Sequence, residues 1–205
     1  MDSSVTIHHG PYDSIPDTAS PGLKFLKRFL PAMDSARDSD DQIAPLFTPN
    51  APIIIGSNPP TFAYRTTPLM QVRSDHFSHF HHDVHVAWDI DLVGPNDPSN
   101  KISSESEEFV SATRVNLYAP LPGNIRMKRT VLYEATSETI FADDPDQFMV
   151  KVREFSVIDL QGKDDEDLQV VEMRIFTDSR PVQARAAALH TQSAFGESAT
   201  EAEPE

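Results

Sequence analysis

The stretch His82-Asp83-Val84-His85-Val86-Ala87-Trp88-Asp89-Ile90-Asp91-Leu92 decides how this chain is read. Its even positions carry Val84, Val86, Trp88, Ile90 and Leu92, whereas its odd positions carry Asp83, His85, Ala87, Asp89 and Asp91. Successive strand side chains point to opposite faces, so this alternation predicts a β-strand with one face buried and one in water. His82 shares the apolar face and is expected at the rim of the core. Upstream, Thr67-Pro68 supplies a helix cap and a proline at the first helical position, which predicts a helix to about Phe80. At about 100° per residue, Leu69, Met70, Val72, Phe77 and Phe80 form one apolar arc, and Arg73 and His76 fall inside it. A buried Arg or His is costly unless paired or hydrated. A helix and a half-buried sheet that meet with polar groups between them predict a small-molecule pocket.

Outward from this stretch, helices come first and strands after. Ser20-Pro21 opens a helix whose apolar stripe is Leu23, Leu26, Phe29, Leu30 and Met33, with Pro31 placed to kink or end it. Ser39 with Gln42 fits a capping box for a second, short helix carrying Ile43, Leu46 and Phe47. Ala51 to Gly56 reads as a short strand, and Phe62, Ala63 and Tyr64 as its possible return. Long strands are expected at roughly 83–93, 109–119, 127–141, 147–160 and 168–177, with turns at Pro122-Gly123, Asp144-Pro145 and Gly162 to Asp167. The order gives an α+β fold: helices on one face of a curved antiparallel sheet. Residues 1–20 read as a flexible lead, 21–185 as one domain, and 186–205 as an acidic disordered tail.

Composition narrows the function classes. Twelve Phe and 39% hydrophobic residues in a chain of 205 suffice for one core. A formal charge of −15 argues against nucleic acid and anionic membranes, which attract basic surfaces. The absence of cysteine removes disulfides, thiolate metal sites and a cysteine nucleophile. No secretory signal or membrane-spanning run is visible, so a soluble cytoplasmic protein is expected.

Several residues could carry chemistry. His76 and His82 are suited to moving protons beside a carbonyl or hydroxyl. Arg73 could stabilise an enolate or carboxylate, or simply pair with Asp34 or Asp178. Trp88 would wall the pocket, Asp34 is a candidate ligand contact, and Tyr64, Tyr118 and Tyr133 could each donate a hydrogen bond to a ligand oxygen. Glu154 breaks the apolar alternation of Phe148, Val150 and Val152, which marks either an inward carboxylate or a bulge that exposes it. Zinc needs three or four convergent ligands. His76 and His79 diverge by about 60° on a helix, and His82 and His85 face opposite sides of a strand, so no metal site is expected. There is no phosphate-binding Gly-rich loop and no serine-nucleophile motif.

Residues 32–38 (Ala-Met-Asp-Ser-Ala-Arg-Asp) and 46–51 (Leu-Phe-Thr-Pro-Asn-Ala) resemble a helix, acidic turn, helix and first strand that recur in the SnoaL-like branch of the NTF2-like superfamily. Asn50 stands where Asp is commoner. Residues 170–182, ending Thr177-Asp178-Ser179-Arg180-Pro181-Val182, resemble that family's closing strand, and the element order agrees over about 22–182. The resemblance implies a cone: a curved sheet wrapping about three N-terminal helices around a cavity. It implies either a cofactor-free dehydratase, isomerase or cyclase acting on a hydrophobic oxygenated metabolite, or a non-catalytic binding or dimerisation module. It also implies a homodimer through the outer sheet face, here expected to carry His85, Ala87, Asp89 and Asp91.

Overall fold

The computed structural model describes residues 4–35, 40–65, 73, 75–92 and 127–197. Strand β1 (Val5–His9) and a 3-10 turn (Tyr12–Ser14) precede helix α1 (Pro21–Asp34), the short helix α2 (Asp40–Ile43) and a second 3-10 turn (Ala44–Leu46). Then come β2 (Pro52–Ile55), β3 (Thr61–Phe62), β4 (Phe77–Asp91), β5 (Met127–Phe141), β6 (Val150–Gly162), β7 (Gln169–Thr177) and helix α3 (Arg180–Glu197). Among the described residues the strands form one curved, unclosed sheet in the order β1-β4-β5-β6-β7-β2-β3. Every pairing is antiparallel except β2 with β7. The fold is therefore α+β. No described helix is long and apolar enough to cross a membrane.

The core lies between α1 and one face of the sheet. Leu23, Phe25, Leu26, Phe29, Leu30 and Met33 of α1 pack with Val84, Ala87, Val131, Tyr133, Ala135, Ile158, Leu160, Val170 and Met173. Pro31 falls in the last turns of α1, and Ser35 closes the helix by donating its backbone N–H to the Pro31 carbonyl at 2.9 Å. The helix begins very close to the sheet. A Cβ on Gly22 would lie 2.4 Å from Asp89 and 2.7 Å from Val131, so only glycine allows this approach.

Sequence expectations are corrected in β4 and in the helix that precedes it. The alternation in β4 is not continuous: a bulge between Val84 and Val86 adds one residue opposite β5. One extra residue swaps the faces that follow it. Val84 points into the core, but beyond the bulge Ala87 and Asp89 point in, and Val86, Trp88 and Ile90 lie half-buried on the other face. Trp88 is thus an outer-face residue, and neither Ala87 nor Asp89 faces outward.

The helix expected to reach Phe80 ends at His76, because β4 begins at Phe77. A second irregularity, between Phe77 and His79, gives Phe77 and Phe80 a spacing of three within a strand, which reads as helical in sequence. The stretches 66–72 and 93–126, which include most of that helix and the strand expected at 109–119, lie outside the described residues.

The N-terminal lead contains β1, whose Val5, Ile7 and His9 stand opposite Ile90, Trp88 and Val86 and cover that part of the edge of β4. At the other end the helix continues past residue 185 to Glu197. It is tied down by Arg185, which bonds both oxygens of Asp144, with its Nε at 2.8 Å, and lies 5.3 Å from the centre of the Phe148 ring.

Candidate functional site

The C-terminal residue of α1, Asp34, reaches the uncovered edge of β4 and meets two consecutive histidines. Its Oδ2 accepts from the Tyr12 hydroxyl at 3.1 Å, from His81 Nδ1 at 3.0 Å and from the His82 backbone N–H at 3.2 Å. Its Oδ1 accepts from His82 Nδ1 at 2.5 Å. Burial acts to raise the Asp34 pKa, but the bonds and charge of His82, with help from Tyr12, hold it below the usual carboxylate value. Asp34 is therefore ionised, and each neighbour must donate to it. This requires a proton on His82 Nδ1, while Nε2 of the same ring faces inward.

That Nε2 lies 3.4 Å from Oε1 of Glu154, without the alignment of a hydrogen bond. Glu154 is buried on the inner face of β6. The β5–β6 register runs unbroken from Met127 to Thr139, with Glu154 opposite Ala135, so the bulge that would have exposed it is not there. Tyr133, fully buried on β5, sets its ring edge-on to His82 with centroids 6.4 Å apart. Burial first, and then the Glu154 carboxylate, push the Tyr133 hydroxyl well above its ordinary pKa, so it stays a neutral donor. Ser156 follows Glu154 on the same face and stands opposite Tyr133.

Among the described residues, neither Glu154 Oε1 nor Ser156 Oγ completes a hydrogen bond of normal geometry. Most buried polar atoms are satisfied, so two unmet ones side by side single out this part of the sheet.

Arg73 approaches from the chain before β4. Its Nη2 donates to the carbonyl of Met33, and its guanidinium stacks 4.1 Å over the Phe80 ring, which in turn lies edge-on to His82. Burial lowers the Arg73 pKa and the nearby Asp34 opposes that effect. Its observed contacts cap the end of α1 and flank Asp34. Asp178 bonds Arg180 instead.

Of the residues singled out in the sequence, Asp34, Arg73 and His82 come together. His76 does not: it is exposed, at the point where the chain enters β4. Tyr64 is exposed too and stacks on Phe62, with centroids 6.0 Å apart. Trp88 lies on the outer face against Phe155. Tyr118 lies outside the described residues. Tyr12 and Ser156 had no signal in the sequence, because a lone tyrosine in a polar lead and a serine within a strand are common.

The opposite end of α1 meets a second buried carboxylate. Asp89 accepts from the Gly22 backbone N–H at 2.8 Å and from Arg129 Nε at 2.8 Å, while Arg129 Nη1 reaches Asp91 at 3.0 Å. Burial works against the Arg129 charge, but Asp89 and Asp91 more than offset it and raise its pKa.

No family model and no curated protein matches the sequence. Solved structures do match. PrhC from Penicillium brasilianum NBRC 6234 aligns with a TM-score of 0.51 at 11% identity, over 85% of this chain and 91% of that one. A protein of Jannaschia sp. CCS1, described as a SnoaL-like polyketide cyclase, aligns at 0.47 and 17% identity over 82% and 92%. The Mtr2–Mex67 M domain complex of C. albicans aligns at 0.43 and 12% identity over 79% and 96%. In fold, the chain is similar to proteins of the NTF2-like superfamily and its SnoaL-like branch.

Proposed function

We propose that the protein binds a hydrophobic, oxygenated small molecule against the inner sheet face and that His82 moves a proton on it without a cofactor. The observation that supports this reading is the buried line Asp34–His82–Glu154. Asp34 fixes the ring and its tautomer and stabilises the imidazolium that forms when Nε2 takes a proton. In a dehydration, Nε2 would take a proton from the carbon beside a carbonyl and return it to the departing hydroxyl, so that water leaves and the protein is unchanged. In an isomerisation the same proton returns to another carbon. Tyr133, held neutral, is suited to hydrogen-bonding the carbonyl oxygen as charge develops there.

The test is a panel of cyclic hydroxyketones and enones, followed by ultraviolet absorbance and by mass loss of water. At least one should turn over, and His82→Asn should slow it by about a hundredfold or more with unchanged circular dichroism. Turnover that survives both His82→Asn and Glu154→Gln, or no turnover of any member, overturns the reading.

The alternative is a non-catalytic module that pairs with a second copy of itself. It is favoured by the apolar outer face formed by Val5, Ile7, Trp88, Leu132, Phe155, Val157 and Phe176, of which Ile7 and Phe176 are each 52% exposed. Glu134 and Arg153 border it, so a two-fold-related copy would set opposite charges together. Sedimentation should show a dimer that Trp88→Asp dissolves. A monomer at every concentration would remove the partner.

A further inference from the structure

The line of polar groups on the inner face also says what kind of ligand atom belongs there. This inference rests on the proposed function and narrows it. Glu154 and Ser156 are two residues apart on β6 and point the same way, into the core side of the sheet. Neither Glu154 Oε1 nor Ser156 Oγ has a partner of normal hydrogen-bond geometry, although the Tyr133 hydroxyl lies close enough to interact with both and His82 Nε2 is 3.4 Å from Glu154 Oε1. Glu154 is 9% exposed and Ser156 is 0% exposed, so bulk water does not serve either atom. Leaving such groups unmet costs about 1–3 kcal/mol each, which a ligand that meets both would recover.

The neighbouring residues keep this stretch of the sheet low. Ala135 stands opposite Glu154, and Ala87 pairs with Tyr133, which itself stands opposite Ser156. The pair of orphans selects among ligand groups. A carboxylate is repelled by Glu154. A ketone can accept from Ser156 but offers Glu154 nothing. A hydroxyl does both, donating to Glu154 Oε1 and accepting from the Ser156 hydroxyl.

We propose that Glu154 and Ser156 form a subsite for an alcohol hydroxyl, and that the ligand of this protein is an apolar molecule carrying one.

The experiment titrates the full chain with cyclohexanol and 2-decalol, and with their ketones cyclohexanone and 2-decalone, while the His82 imidazole is followed by ¹⁵N NMR. The alcohols should bind at least about tenfold tighter than the matched ketones. That preference should vanish in Ser156→Ala and in Glu154→Gln. Two variants are used because either one alone could disturb the core. Ketones that bind as well as the alcohols while moving the His82 resonances overturn the subsite and leave the proton-transfer reading standing. A preference that survives both β6 variants overturns the subsite as well. If neither class moves the His82 resonances up to its solubility limit, both readings fall.

Discussion

The two ends of α1 each meet a buried carboxylate network on β4, yet the networks are finished to different degrees. At the N-terminal end, Asp89 has a backbone N–H from Gly22 and a guanidinium N–H from Arg129, and the one unmet atom nearby is the hydroxyl of the helix-capping Ser20, outside that network. At the C-terminal end, Asp34 is equally well served, but the line continues through His82 to Glu154 and stops at two unmet oxygens. The same helix and strand build both. The difference teaches that neither a buried charge nor a single unmet hydroxyl singles out a site; two unmet groups side by side at the end of a charged line do.

The largest effect that would break this comparison is expected at the finished end. Arg129→Ala strands Asp89 in the core and should cost about 3–5 kcal/mol in urea unfolding. A loss below about 1 kcal/mol would mean that Asp89 is not structural. Gly22→Ala forces a methyl group onto Asp89 and Val131 and should cost about 1–3 kcal/mol by the same measurement. Glu154→Met sharpens the contrast, since removing an unmet acceptor should hold or raise stability by about 1 kcal/mol. A large destabilisation there would show that Glu154 belongs to the scaffold like Asp89.

The smallest effect is a slope with pH. The Asp34 pKa in the folded state lies below its ordinary value of 3.8, so its stabilising contribution is complete above that pH. It is lost as the pH falls through the lower folded value. Thermal melts of the wild type should therefore fall in this acid window more steeply than those of Asp34→Asn; parallel curves would contradict the assignment.

Much of this architecture could be read from residues alone. The strand expected at 127–141 is β5 to the residue, and Ser20-Pro21 starts α1 where expected. Asp34, Arg73 and His82 were singled out and do converge. What failed was the face of β4. The run from Val84 to Ile90 looks regular because the bulge at His85 adds a residue without breaking the visual alternation. Its sign in the sequence is only that Asp89 ends up inside, and that makes sense only with Arg129, forty positions away, as its partner. His76 was lost for a related reason, since a strand with an irregularity near its start imitates helical spacing. Glu154 was visible as a charge in an apolar series, but its direction depended on a register that no local pattern fixes.

One contact at the site also governs association. Along residues 77–84 of β4, no strand among the described residues covers the edge away from β5, and such an edge invites another chain to add itself as a strand. Asp34 takes the His82 backbone N–H on that side, where an incoming carbonyl would bind. The carboxylate that orients the histidine thus also acts as a stopper at the sheet's open margin. Its removal would leave a protein with a loosened imidazole and a growing point for aggregation.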